Sequence, residues 1–325
     1  MLGSMIMKEW LILFVLLGLT PLYSQQSTCE TPTVVVSAVD QQGFFIRNLH
    51  AENFRATVRG KEVLILAARQ GPGPGRVVIV LDVSSSMNAG ASRQISRYTS
   101  GELVHSLSGH PDFALVVFAK RILQTIPFGH SRNEVMTAID NAVGSPPDLL
   151  KDRQPSFLDA LLDASNLLTP RAGTGDSVVL ASNGGYSGDR ESKTSMDFLE
   201  RAFWAKGIRI FVFEPPSPHL FYFYGSFVDQ ERSDSGPKEL RELAEVTGGS
   251  IVTLPDSDGP RMFIATHNVE DRIANYYVVQ FAPSLVLKKA EELRLELVDT
   301  SGKKRKDAEL LFPHELLPCV HPPTQ

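Results

Sequence analysis

The stretch Val77-Val78-Ile79-Val80-Leu81-Asp82-Val83-Ser84-Ser85-Ser86-Met87 decides the fold. Its first five residues are apolar and mostly β-branched, the pattern of a strand buried on both faces. Asp82 ends the run, and serines follow at positions 84 and 86. An acid and two hydroxyls therefore sit where a buried parallel strand gives way to a loop and helix. Open α/β sheets place their ligands there, outside the carboxyl ends of the strands. Oxygen donors of this kind suit a hard cation such as Mg²⁺, which takes few protein ligands and keeps several waters. The same residue types also cap helices. Both readings are open from this stretch alone.

Outward from it, strands and helices alternate. Ser92 to Leu107 has helical character, Phe113 to Phe118 is a second buried strand and Ile122 to Phe128 a third. Helices are expected over Asn133 to Val143 and over Phe157 to Leu168, the latter stopped by Pro170. Ser177 to Leu180 is a strand leading into Ala181-Ser182-Asn183-Gly184. A helix over Met196 to Lys206, closed by Gly207, precedes a strand over Ile208 to Phe213. Pro237 to Gly249 carries helical spacing with proline at the start and glycine at the end. A strand over Ile251 to Leu254 and a helix over Met262 to Ala274 complete the series. This alternation predicts a doubly wound, mostly parallel sheet with helices on both faces.

The flanks differ. Thr33 to Val39, Phe44 to Ile46, and Phe54 to Leu66 broken at Gly60-Lys61 read as β structure. So do Tyr276 to Phe281, Leu293 to Leu297 and Ala308 to Phe312. Neither flank is large enough to bury a core alone, so the two are expected to pair into one small β-sandwich-like unit. The expected organisation is residues 1–24 as a signal peptide, 25–70 as an N-terminal β segment and 71–76 as a linker. The α/β domain then runs over 77–275, and a C-terminal β segment over 276–325 pairs with 25–70. Gly71-Pro72-Gly73-Pro74-Gly75 is glycine-rich, but it precedes a strand and opens no helix, which speaks against a phosphate cradle.

The 325 residues are 42% hydrophobic with a formal net charge of −5, enough for a sizeable core and the wrong balance for nucleic acid. The single basic cluster, Lys303 to Lys306, follows Ser301-Gly302 and reads as a solvated hairpin tip. Lys8 followed by the apolar run Trp10 to Leu19 has the form of a secretory leader, with cleavage expected after Ser24; a retained membrane anchor is the alternative, disfavoured because the run is too short to span a bilayer. No other segment approaches membrane-spanning length. The two cysteines, Cys29 and Cys319, lie near the ends of the mature chain, and an oxidising compartment favours a disulfide between them over two unpaired thiols.

These residues carry a family likeness. The Asp82-Val83-Ser84-Ser85-Ser86 loop resembles the first metal-binding loop of von Willebrand factor type A (VWA) domains. Asp112 to Phe118 resembles their next strand, Ser156 to Leu161 the helix after their second loop, and Ser182-Asn183-Gly184 their third loop. Leu49-His50-Ala51-Glu52-Asn53-Phe54, Leu243 to Gly249 and Tyr276 to Val279 are similar to the acidobacterial VWFA-related family. The resemblance implies a metal held by the first-loop acid and two serines, a second-loop threonine and a third-loop aspartate, with a partner's carboxylate completing the shell. Asp82, Ser84 and Ser86 match. The threonine position falls on Pro155, with Ser156 adjacent, and the aspartate position on Asn183. The implied site is a degenerate one for Mg²⁺ or another divalent cation, held weakly because a single carboxylate remains. Asp152 and Asp189 are the acids near enough in sequence to compensate.

Enzyme readings find little support in the sequence. A strand-end aspartate is also the nucleophile of haloacid-dehalogenase-like phosphatases, but that chemistry wants a second acid where Ser84 stands. There is no G-x-S-x-G elbow and no H-E-x-x-H motif. If the sheet is parallel, the segment Phe221-Tyr222-Phe223-Tyr224 leaves a strand's carboxyl end on the same rim as Asp82, where it is read as aromatic anchors for a partner; packing of the rings onto a helix as local core is the alternative. The sequence thus predicts an exported, non-enzymatic binding protein whose partner is a protein engaged through an acidic side chain. A structural scaffold in which Asp82 only caps, and a hydrolase with Asp82 as nucleophile, are the alternatives.

Overall fold

The computed structural model describes residues 31–84, 87, 91–119, 121–144, 157–169, 173–184, 193–215, 235–254, 259–282, 285 and 287–318. The chain begins with β1 (Thr33–Asp40), a 3-10 turn (Ala51–Asn53), β2 (Phe54–Val58), β3 (Lys61–Val63) and β4 (Ile65–Gln70). It continues with β5 (Val77–Asp82), α1 (Ala91–Ser106), β6 (Phe113–Phe118), β7 (Ile122–Ile126), α2 (Arg132–Gly144), α3 (Phe157–Leu167) and β8 (Ser177–Ala181). Then come α4 (Lys193–Lys206), β9 (Arg209–Glu214), α5 (Ser235–Val246), β10 (Ser250–Thr253) and α6 (Gly259–Ala274). The last described strands are β11 (Tyr277–Phe281), β12 (Glu291–Leu297), β13 (Ala308–Leu311) and β14 (Glu315–Leu316).

Six strands form a central sheet in the order β10-β9-β8-β5-β6-β7. All pairs are parallel except β6–β7. The reversal at β7 follows from its connection, which closes at once with the Ala119 N–H donating to the Arg121 carbonyl. So short a link permits a hairpin but not a crossover. β5 is buried along its whole length, and successive side chains enter two different cores. Val77, Ile79 and Leu81 join Ile95, Leu103, Val135, Val269 and Ile273 on the face covered by α1, α2 and α6. Val78 and Val80 join Phe157, Leu161, Phe203 and Leu243 on the face covered by α3, α4 and α5.

Two further sheets are antiparallel, ordered β13-β1-β11-β4 and β14-β12-β2-β3. Val36, Tyr277 and Phe281 from the first and Phe54, Leu293 and Leu297 from the second share one core, so the sheets pack face to face as a sandwich. The early strands find their partners late in the chain: β1 pairs with β11 and β13, and β2 with β12.

The glycine-rich crossing from β4 to β5 is packed in place. A side chain at Gly71 would put its Cβ 2.1 Å from the Tyr276 ring, and one at Gly75 would be 2.4 Å from the Asp176 carboxylate. The Tyr276 hydroxyl donates to the Gly73 carbonyl at 2.8 Å. Beside this crossing lies Arg209, 1% exposed. Its guanidinium donates to the Arg272 carbonyl at 2.7 Å, the Ile273 carbonyl at 3.1 Å and the Ser37 hydroxyl at 3.3 Å. It also lies 4.7 Å from the Tyr276 ring centroid. Burial lowers its pKa to about 10. The charge caps the carbonyl end of α6, where the helix dipole is negative, and ties the sandwich to the α/β layer.

One buried acid joins α1 to α6. Glu270 accepts a hydrogen bond from the Ser106 hydroxyl and lies 3.3 Å from His267 Nδ1. Burial dominates and lifts its carboxyl above the usual range; the Ser106 and His267 contacts oppose this, and Glu102 adds to it. Between the ordinary and the raised value the folded state binds more protons than the unfolded one. The contribution of Glu270 to stability therefore falls as pH rises through that window, and is flat above it. Glu270→Gln keeps an acceptor for Ser106 and is expected to abolish this slope. Urea unfolding at a series of pH values, read as wild type minus variant, checks it; parallel curves for the two proteins would refute the assignment.

Candidate functional site

The strand order places a topological switch point between β5 and β8, since the connection after β5 leads to β6 on one side and the later strands continue from β8 on the other. A crevice at the carboxyl ends of two such strands is the general ligand position of doubly wound sheets. Asp82 closes β5, and Ser182 and Asn183 follow β8. The neighbouring strands hold both ends in register: the Val83 N–H donates to the Phe118 carbonyl at 2.8 Å and the Ser182 N–H to the Phe213 carbonyl at 3.1 Å.

Between these ends the side chains converge on one carboxylate. The Ser182 hydroxyl donates to Asp82 Oδ2 at 2.7 Å. The Ser84 N–H donates to Asp82 Oδ1 at 2.9 Å, and the Ser84 hydroxyl also hydrogen-bonds to this carboxyl. The Gly184 N–H donates to the Ser182 hydroxyl oxygen at 3.2 Å, so that hydroxyl relays a backbone donor toward Asp82. Gly184 makes this possible with φ at +63°, a conformation glycine adopts without cost. Asp82 is 2% exposed and Asn183 3%, with Ser84 and Ser182 equally enclosed.

Burial pushes the Asp82 carboxyl above the usual carboxylate range, and the hydrogen bonds from Ser182 and Ser84 pull it back only in part. Among the described residues no charged side chain contributes to the shift. A buried carboxylate without a cationic neighbour is costly, and a proton or a cation relieves it.

No family model matches the chain, and no curated protein matches it. Among solved structures it is similar to BatB from Bacteroides thetaiotaomicron, at 18% identity and a TM-score of 0.45, over 62% of this chain and 98% of that one. An aerotolerance-related membrane protein from Bacteroides fragilis, carrying multiple mutations to serine, is similar at 19% identity and a TM-score of 0.45, over 60% and 98%. A von Willebrand factor type A protein from Catenulispora acidiphila is similar at 13% identity and a TM-score of 0.45, over 90% and 75%.

Of the residues the VWA pattern marks out, Asp82 and Ser84 meet in one hydrogen-bonded cluster, and Asn183 adjoins it next to Ser182. Ser86, Pro155, Ser156, Asp152 and Asp189 lie outside the described residues, as do Phe221 to Tyr224, Cys29 and Cys319. Ser182 has a role that motif reading missed, because attention fell on the carboxylate position one residue later. Its signal is positional: it is the first polar residue after a buried strand adjacent to β5.

The described donors are hard oxygens: the Asp82 carboxylate, the Ser84 hydroxyl and the Asn183 side-chain carbonyl. Such a set fits Mg²⁺ or Ca²⁺ in kind, and the lone buried carboxylate leaves a positive charge wanting. The same set suits no soft metal. Among the described residues no group of three or more His, Cys, Asp or Glu side chains forms a metal cluster, and no helix is long and apolar enough to cross a membrane.

Proposed function

We propose that the chain is an exported, non-enzymatic binding protein that recognises a protein partner at the rim where β5 and β8 end. The observation that carries this reading is the buried Asp82 carboxylate at the switch point, held by Ser84 and Ser182 with no charged neighbour among the described residues. Asp82, Ser84 and Asn183, together with Ser86 and Ser156, are the residues that would hold a divalent cation. When bound, the cation would supply a Lewis-acidic face for a carboxylate of the partner. Ser182 keeps the Asp82 carboxylate oriented, and Phe221 to Tyr224 would anchor the partner through aromatic contacts.

Full enclosure of Asp82 favours a second reading, in which the cluster only locks two loops to the sheet. Hydrolysis through Asp82 is the weakest reading, since a hydroxyl occupies the position that a proton-donating acid would need. One experiment separates them: thermal unfolding of wild type and Asp82→Asn with Mg²⁺, Ca²⁺ and Mn²⁺. A low-charge site with a dissociation constant of roughly 10⁻⁴–10⁻³ M should stabilise wild type by about 1–3 kcal/mol at ~10 mM cation. The variant should show no gain. Equal behaviour of the two proteins would leave the loop lock as the reading. Cation-dependent turnover of an aryl phosphate, lost in Asp82→Asn, would overturn both.

Export rests on Lys8 and the apolar run Trp10 to Leu19. N-terminal sequencing of the protein recovered outside the cytoplasm is expected to begin at Gln25. A start at Met1, Met5 or Met7 would contradict cleavage.

A further inference from the structure

We infer that a cavity between the turn after β1 and the last turns of α6 binds a free α-amino acid. Arg272 and Lys306 would take its carboxylate, and Asn268 and Glu309 its ammonium group. The inference does not rest on the proposed function. The cavity has a volume of about 400 Å³ and is lined by Asp40 and Gly43, by Asn268 and Arg272, and by Lys306 and Glu309. That size lies at the lower end of the roughly 300–1,000 Å³ typical of small-molecule sites. Asn268 and Arg272 are four residues apart and so share one face of α6. Lys306 belongs to the basic cluster that the sequence presents as a hairpin tip, and it stands exposed, as Glu309 does.

The turn is fixed against the helix. Asp40 Oδ1 accepts the Gln42 and Phe44 N–H groups, each at 2.9 Å, and the Gly43 N–H donates to the Asp40 carbonyl at 2.9 Å. Gly43 has φ at +89°, and a Cβ there would lie 3.1 Å from Asn268 Nδ2 and 3.4 Å from Arg272 Nη2. Two atoms of the lining residues are left over. Arg272 Nη1 donates to the Ser250 hydroxyl at 2.9 Å, but Arg272 Nε is buried without a hydrogen-bond partner, and so is Asn268 Oδ1. Such orphans are rare in folded proteins and costly. One is a donor and the other an acceptor. Among the described residues neither Arg272 nor Lys306 forms an ion pair with a carboxylate, nor does Glu309 form one with a cation. A simple anion would answer the two cations and leave Asn268 Oδ1 and Glu309 unmet; a simple amine would do the reverse. A carboxylate and an ammonium group on one small molecule answer all four, the first through the guanidinium fork and the second through its N–H donors.

Thermal unfolding of the full chain with each of the common L-amino acids at about 10 mM tests this, since a ligand with a dissociation constant near 1 mM would then stabilise the fold measurably. EDTA is present throughout, so that no cation at Asp82 can hold a carboxylate. At least one amino acid is expected to raise the melting temperature, while acetate, inorganic phosphate and methylamine at the same concentration do not. Calorimetric titration of the amino acid that stabilises most then gives its dissociation constant. Lys306→Gln and Glu309→Gln are each expected to raise that constant about tenfold, the loss of one charge-assisted hydrogen bond. Both side chains are exposed, so the variants fold. No stabilisation by any amino acid would overturn the inference. So would an equal response to acetate or phosphate, which would make the cavity a plain anion site, or unaltered affinity in either variant.

Discussion

Replacing Asp176 by alanine is expected to lower the unfolding free energy by about 3 kcal/mol. Asp176 closes the turn before β8 and is almost wholly buried. One carboxylate oxygen accepts the Arg76 N–H at 2.7 Å. The other accepts the Gly173 N–H and the Arg76 guanidinium, each at 2.8 Å. The alanine variant leaves two backbone donors and a guanidinium without this acceptor at the start of the central sheet. Breaking a buried pair typically costs roughly 3–5 kcal/mol. The Arg76 side chain retains 31% exposure, which places the effect at the lower end, since water screens part of the lost attraction. Equilibrium urea unfolding measures it. A loss below about 1 kcal/mol would mean that the pair is an ordinary surface ion pair.

Gly249→Ala is expected to be at least as damaging, by a steric route. Gly249 joins α5 to β10, and its N–H donates to the Ala244 carbonyl at 2.9 Å. A Cβ there would lie 1.8 Å from the Ile210 carbonyl oxygen and 2.5 Å from its carbon. Ile210 belongs to β9, which is paired on both sides, with β8 and with β10. Backbone fixed in two ladders cannot retreat as a flexible side chain would. Overpacking of this kind costs roughly 3 kcal/mol or more. Gly259→Ala is the control, since a Cβ at the first residue of α6 meets nothing within 4 Å. Thermal unfolding should separate the two by many degrees. Similar melting of both variants would show that β9 and β10 can part to admit a methyl group.

The central sheet was readable because burial on both faces leaves a plain mark. β5, β6, β8 and β9 are continuous apolar runs, and they are the most deeply buried strands. The run Ile122 to Phe128, expected as a third strand, forms β7 over Ile122–Ile126 and is exposed along nearly its full length. Its Gln124, Thr125 and Pro127 are the marks of an edge position, and the short turn before it fixes the antiparallel pairing. Charged residues were the other blind spot. Arg209 and Asp176 stand at strand starts, where sequence reasoning expects solvent, and only the three-dimensional packing turns them inward. At the site, Asp82 and Ser84 were legible from their spacing. The part of Ser182 was not, because it is a bond across two strands separated by 100 positions in the chain.

The pairing of β1 with β11 and β13 has a consequence for the order of assembly. During synthesis, or during passage across a membrane, β1 and β2 emerge first and must wait for Tyr277 and later residues before their sheets close. The segment from β5 to β10 carries its own partners and can condense in the interval. Loop closure over so many residues is slow, and apolar strands left waiting invite pairing with other chains. A helper that shields Thr33 to Gln70 until the last strands arrive would therefore raise the yield of native protein, whereas one acting on the central sheet would not.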